Sequence, residues 1–350
     1  MSNRINSPDT DADRKLCQIL DARLPGFIMV AGAGSGKTTS LVKALAHILT
    51  SRGDELRVGV RKVACITYTE IAAQEIASDL ANDPIVHVST IHSFLWTVVK
   101  PFQRDIRQWV KGRAQSRLQE LMDEQAGFGS RIQPKRREDI AARIQRLRDQ
   151  IPAIDHVSTF TYGMASDYGR GILGHEDITT IAPELIVTKP LLAKLIARQY
   201  PITFVDESQD TLPEIVACLK HVSRQHRKDF CLGFFGDPMQ KIYVRGIGDI
   251  DLEADWEAVK KPENFRSPQR VLDVINAIRK DGDNLHQVSG LPTERQRPGE
   301  VTFFVLPADE TRTATLLSAR KWLAVHSDIG AWVPRKGLDE TKVLVMGASF

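Results

Sequence analysis

Along this chain, short apolar runs alternate with longer stretches whose apolar residues recur at helical spacing. "FIMV", residues 27–30, is a continuous apolar run and reads as a buried strand. The Gly-rich turn "AGAGSGKT" follows. In "TTSLVKALAHILT", Leu41, Val42, Leu45, Ile48 and Leu49 then fall on one helical face. "ITFV" (202–205) is a second apolar run and ends in the acids Asp206 and Glu207. "LGFFGD" (232–237) is a third and ends in Asp237. Residues 97–185 are mainly helical in pattern, as in "RLQELMDEQ" and "REDIAARIQRLRDQ". Apolar strands alternating with helices predict a parallel α/β sheet. Functional groups of such sheets gather at strand C-termini.

Composition narrows the picture without deciding it. A length of 350 residues predicts two or three domains, and 42% apolar with 26% charged residues is ordinary for a globular chain. The net charge of +3 does not by itself argue for nucleic acid, so local clusters must carry that argument. The four cysteines, Cys17, Cys65, Cys218 and Cys231, form no CxxC pair. That argues against a zinc site and for a reducing, cytoplasmic setting. "MSNRINSPDTDADRK" has no apolar core of a secretory signal, and no run approaches membrane-spanning length.

Strand, Gly-rich loop and helix are the context of a phosphate-binding loop, here A-x-x-x-x-G-K-T with Ala31 first. Gly32, Ala33, Gly34, Ser35, Gly36, Lys37, Thr38 and Thr39 would enclose the phosphates of a nucleoside triphosphate with backbone N–H groups at a helix N-terminus. Lys37 would reach the β- and γ-phosphates, and Thr38 would ligate Mg²⁺. Two acids ending a strand could, taken alone, simply be a strand end reaching solvent. Paired with this loop, Asp206 becomes the expected Mg²⁺ partner and Glu207 the base that orients and activates water. The predicted chemistry is metal-assisted hydrolysis of a nucleoside triphosphate.

Six segments in one order carry a family resemblance. "DESQDT" resembles the DExQDT box of UvrD-like superfamily 1 helicases. "ITYTEIAAQEI" (66–76) resembles their motif Ia, "VSTIHSF" (88–94) motif Ib, "FFGDPMQKIY" (234–243) motif III, and "ENFRSPQRVLDVIN" (263–276) motif IV. "YGRGILGHEDI" (168–178) resembles the segment these proteins carry before the acidic strand. The resemblance covers most of residues 27–280. It implies a RecA-like sheet and a 3′-to-5′ motor on single-stranded or tailed duplex DNA.

It also implies roles for individual residues. Gln240 would bridge the γ-phosphate or its attacking water to the neighbouring strand, or be a plain turn residue. Tyr243 would stack a base, or be a core aromatic. Thr67, Thr69, Thr90, His92 and Ser93 would line the strand groove, with a hydrogen-bonded core histidine as the other reading of His92. Arg266 would neutralise charge on the transferred phosphoryl from the second motor domain. Gln209 and Asp210 would link the hydrolytic acids to motif III.

The sequence departs from the pattern in places. Glu70 and Ile71 replace the usual Asn and Lys of motif Ia. Motif III is one residue short and lacks its second aromatic, which leaves Tyr243 to act alone. No upstream adenine-reading glutamine stands out; Gln18 precedes the loop at a slightly short spacing. Beyond "NFRS" neither motif V nor motif VI is found. The chain therefore reads as the N-terminal portion of a longer protein, with a natural short ATP-gated module as the other reading.

The expected organisation is a RecA-like domain from residues 1–96 and 186–262, a helical insertion at 97–185, and an incomplete second RecA-like domain at 263–350. A strand that opens the second sheet is expected in "TKVLVMGASF", with an unpaired edge prone to association. Within 104–149, lysines and arginines outnumber acids twelve to seven, giving either a DNA-facing subdomain or a solvated helical face. The expected function is an ATP-dependent DNA translocase or helicase. The alternative is an ATP-gated DNA sensor partnering a nuclease, for example in phage defence. Oligomeric state is not legible.

Overall fold

The computed structural model describes residues 4–129, 132–305 and 312–327. The strand and edge expected at 341–350 lie outside them. The chain divides into two compact units, Met1–Lys261 and Pro262–Phe350.

In the first unit the chain opens with helix α1 (Asp11–Asp21), strand β1 (Gly26–Ala31) and helix α2 (Lys37–Val58). Thr10 caps α1 and pairs reciprocally with Asp13, which fixes the helix start. Then come β2 (Val63–Thr67), α3 (Glu70–Asp79), β3 (Val86–Thr90) and α4 (Ile91–Val99). The helical stretch contains α5 (Gln103–Ala126), α6 (Pro134–Ile154), a short strand pair β4 (Thr161–Tyr162) and β5 (Ile172–Leu173), α7 (His175–Thr188) and α8 (Pro190–Gln199). The unit finishes with β6 (Ile202–Val205), α9 (Pro213–Gln225), β7 (Cys231–Gly236) and β8 (Glu257–Lys261).

Six strands form one parallel sheet in the order β3-β2-β6-β7-β1-β8. Both faces are covered, which is why its strands are nearly continuously apolar. Side chains alternate between the faces. Phe27, Met29, Cys65, Phe204 and Phe235 pack with Leu41, Leu45 and Ile48 of α2 and Leu16 of α1. Ala64, Ile66, Val205, Leu232 and Phe234 pack on the other side with residues of α4, α7, α8 and α9. Between α5 and α6, Leu121, Ile140 and Ile144 form a small core of their own.

In the second unit β9 (Glu263–Asn264) pairs parallel with β10 (Val288–Ser289), and helices α10 (Gln269–Lys280) and α11 (Arg312–His326) follow their strands in sequence. Buried Asn264 shapes the "NFRS" turn: its Oδ1 accepts from the N–H groups of Arg266 (2.9 Å) and Ser267 (2.8 Å).

Candidate nucleotide site and strand surface

The loop between β1 and α2 is built for close backbone approach. Gly34 (φ 77°) and Gly36 (φ 80°) both adopt left-handed conformations that side-chain-bearing residues rarely take. Gly36 caps α2 without any side-chain hydrogen bond, and no acid lies in the first turn. The helix therefore starts with N–H groups that its own side chains leave unsatisfied. The Ser35 hydroxyl is fully buried and has no hydrogen-bond partner. A polar cradle with unclaimed donors fits the phosphates of a nucleotide. Thr38 stands in the first turn of α2 and Thr39 beside it, 3.7 Å from the Cβ position of Gly36.

The two acids that follow β6 come to this loop. Lys37 Nζ donates to Glu207 Oε2 and lies 3.9 Å from Asp206 Oδ1. Asp206 is buried, and burial pushes its carboxyl up to about 6 with help from the Glu207 charge, while Lys37 opposes the rise. Such a carboxylate favours a cation beside it. Among the described residues no cluster of three His, Cys, Asp or Glu could hold a metal by itself. One carboxylate, one hydroxyl and ligand phosphates are what Mg²⁺ usually takes, so Asp206 and Thr38 fit that ion. Glu207 sits at φ 49° and ψ 43°, a left-handed conformation that costs a non-glycine residue energy. It persists because neighbours hold it.

Those neighbours are Gln209 and Asp210. Gln209 Nε2 donates to Glu207 Oε2 (2.8 Å), and its Oε1 accepts from the Asp237 N–H at the end of β7 (3.1 Å). Gly236 allows this approach, since a Cβ there would meet Ser208 Oγ at 2.4 Å and Gln209 Oε1 at 2.9 Å. Asp210 Oδ1 accepts from the N–H groups of Ile242 (3.0 Å) and Tyr243 (3.2 Å). The acidic box is thus tied to the motif III segment at two points. The amide of Gln209 thus bridges Glu207 to the end of β7. Gln240 is exposed and donates to Asp237 Oδ2 at 2.6 Å.

Tyr243 does not belong to the core. It is half-exposed and stacks on Tyr68, with ring centroids 4.8 Å apart and planes inclined by 29°. Motif III lacks its second aromatic in sequence, yet motif Ia supplies one in space. Burial, with the hydrogen bond and charge of Tyr243, pushes the Tyr68 hydroxyl up to about 12. Thr69 caps α3 by accepting from the Ala72 N–H (3.2 Å), and Thr90 Oγ1 donates to Ser93 Oγ (3.0 Å). His92 is partly buried, its ring edge-to-face with His175 at 4.8 Å, and burial and His175 both lower its pKa. His175 in turn bonds Tyr162 Oη through Nδ1. Thr67 is apart from this surface, since it is buried at the end of β2. Arg266 is exposed in the second unit.

The upstream helix holds a polar cluster that sequence reading missed. Gln18 is exposed on α1, whereas Asp13 is buried. Asp13 accepts from Ser40 Oγ, from the Thr10 N–H (2.9 Å), and from the ammonium groups of Lys43 and Lys261 (3.3 Å each). Burial pushes its carboxyl up, but these hydrogen bonds and charges outweigh it and hold it at about 2. Asp13 thereby ties α1 to the phosphate-loop helix and to the last residue of β8. The Thr10–Asp13 capping pair was the one local signal that could have pointed to it.

Comparison with known proteins agrees with this geometry. The family model of the UvrD/REP helicase N-terminal domain matches residues 19–250. The Gabija protein GajB of Bacillus cereus (strain HuB5-5) is 25% identical over 330 residues, covering 75% of this chain and 48% of that protein. The ATP-dependent DNA helicase UvrD1 of Mycobacterium leprae (strain TN) is 25% identical over 328 residues, covering 78% of this chain and 41% of that protein. The ATP-dependent DNA helicase PcrA of Leuconostoc citreum is 24% identical over 328 residues, covering 83% and 42% respectively. The chain thus spans less than half the length of these relatives. Among the described residues no helix is long and apolar enough to cross a membrane. Fold, site and family match together assign this chain to the UvrD/REP helicase family, through its N-terminal domain.

Proposed function

We propose that the protein is an ATP-dependent translocase or helicase that moves 3′ to 5′ on single-stranded or tailed duplex DNA. The observation that carries this reading is the bonded path from Lys37 through Glu207 and Gln209 to Asp237, joined by Asp210 to the backbone of Tyr243. It links a phosphate loop to an exposed aromatic pair. Backbone N–H groups of residues 32–39 would bind the phosphates of ATP, and Thr38 and Asp206 would hold Mg²⁺. Bound there, that ion would neutralise charge on the phosphates. Lys37 is bonded to Glu207, so a phosphate that draws the ammonium away frees this carboxylate to orient water and take its proton. Any change at Glu207 passes through Gln209 to the β7 end and through Asp210 to Tyr243. Tyr243 and Tyr68 offer flat faces on which bases stack without regard to sequence. Thr69, Thr90, His92 and Ser93 offer polar contacts to the strand's phosphates. Arg266 is the arginine that neutralises the transferred phosphoryl, a role resting on the "NFRS" resemblance alone.

A second reading is an ATP-gated DNA sensor that partners a nuclease and signals without processive unwinding. Glu70 and Ile71 at the start of α3, where the family's motif usually carries Asn and Lys, favour it, because the lost cation weakens one phosphate contact. Likeness to a Gabija protein as well as to helicases keeps it in play. Strand displacement on duplexes with a 3′ or a 5′ tail separates the two. ATP-dependent displacement of the 3′-tailed duplex alone supports the motor. ATP hydrolysis stimulated by DNA without displacement supports the sensor.

A further inference from the structure

We infer that Thr67 is a positioning residue of the nucleotide site, holding the water shell of the metal beside Asp206, and not a DNA contact; this rests on the nucleotide reading above. The pleat of the sheet decides which way each side chain faces. Val63 and Cys65 of β2 pack on the side of the phosphate-loop helix α2, whereas Ala64 and Ile66 pack on the opposite side. Alternation puts Thr67 on the α2 side. On β6, Phe204 packs on that same side and Val205 on the other, so Asp206 continues the row. The strands run in register, Ile66 beside Val205, and the Asp206 N–H donates to Ile66 O at 2.8 Å. Thr67 and Asp206 are therefore neighbours on adjacent strands, facing the helix that begins with Lys37. The Asp206 charge is also felt two residues earlier on that face, where it joins burial in raising the Cys65 thiol.

The second observation is the state of the hydroxyl. Thr67 is 1% exposed, and its Oγ1 has no hydrogen-bond partner. Buried polar groups are nearly always bonded, so one left open at the edge of a functional site calls for a ligand that bonds it. A hydroxyl so buried is not placed to meet phosphates of a strand crossing the surface. It does suit Mg²⁺, which keeps several of its waters and relies on outer hydrogen bonds to hold them.

The test uses Thr67→Val, which keeps the shape and removes the hydroxyl, with Thr67→Ser as the conservative variant and Lys37→Ala as the control. Binding of a fluorescent ATP analogue is titrated with Mg²⁺, and nucleotide-free binding of a single-stranded oligonucleotide is measured beside it. Thr67→Val should raise the half-saturating Mg²⁺ concentration by about 10–100-fold, the usual cost of losing an outer-shell partner. Its oligonucleotide affinity should stay that of the wild type. Its melting temperature should not fall, because the change removes an unbonded buried hydroxyl. Thr67→Ser should keep the wild-type Mg²⁺ requirement. An unchanged Mg²⁺ requirement in Thr67→Val, with or without a loss of oligonucleotide binding, overturns the inference. So does a Thr67→Ser variant as impaired as Thr67→Val. If Lys37→Ala binds the analogue like the wild type, the nucleotide reading itself fails. If Lys37→Ala loses binding while Thr67→Val keeps its Mg²⁺ requirement, only the role of Thr67 falls.

Discussion

The sheet's C-terminal edge carries two regions of opposite character. On the α2 side, Lys37 and Asp206, and likewise Asp13 and Lys261, are buried or nearly so and held in charged pairs. On the surface formed by motifs Ia and III, Tyr68 and Tyr243 are half-exposed, and Ile242 and Val244 are largely in solvent. The first region fixes a few polar atoms, which suits one small, highly charged ligand. The second offers flat apolar faces with few fixed directions, which suits a polymer whose sequence must not matter. One acidic box serves both, because Asp206 and Glu207 turn to the loop while Gln209 and Asp210 turn to motif III. The difference predicts that single changes in the buried region cost much and those on the surface or the links cost less.

The largest effect is expected at Asp13. Asp13→Ala leaves Lys43 and Lys261 buried without their shared carboxylate, and should lower unfolding stability by about 3–5 kcal/mol in a denaturant titration. The Asp13 carboxyl is held at about 2 against an ordinary value of 3.8. Its contribution is therefore complete above pH 3.8 and lost as pH falls through about 2, so wild type and variant should converge in acid. A variant as stable as the wild type at neutral pH would break the contrast between the regions.

Next comes Lys37→Ala. It removes the ammonium that faces Glu207 and Asp206, and should weaken nucleotide binding by about 2–5 kcal/mol, read by equilibrium titration. Tyr243→Ala should weaken single-stranded DNA by about 1–3 kcal/mol if a base stacks there. It should leave the salt dependence unchanged, since no phosphate contact is lost. An unaltered affinity would mean that the Tyr68 stack is structural. The smallest effect belongs to the link itself. Gln209→Ala should reduce DNA stimulation of ATP turnover roughly 2- to 30-fold, as expected for a coupling of about 0.5–2 kcal/mol, while nucleotide affinity holds. Equal loss with and without DNA would make Gln209 part of the hydrolytic site instead of a connector.

The buried region was the more legible in sequence, for a physical reason. Phosphate loop, helix start and strand-end acids are each local: Gly34, Gly36 and Lys37 are adjacent, and Asp206 ends an apolar run. The surface depends on which strands lie side by side. Tyr68 meets Tyr243 only because β6 and β7 bring motif III up to the end of β2, and nothing in "ITYT" announces it. Gln209 was expected to link the acids to motif III, and the close approach at Gly236 is what lets its amide reach the end of β7. Thr67 was read with its neighbour Thr69 as one polar group, but the pleat sends it to the other environment. His175 and Asp13 were missed because their partners lie far along the chain or on another helix.

The central claim is that Glu207 performs the chemistry on a nucleotide held by residues 32–39 and 206. It is tested most directly by measuring nucleotide affinity and DNA-stimulated ATP hydrolysis together in Glu207→Gln. The amide keeps the shape, and Asp206 remains to hold the metal. The account predicts affinity within a few-fold of the wild type and turnover lower by about 10²–10⁴, the usual worth of a general base. Turnover at the wild-type rate, with affinity intact, would contradict it.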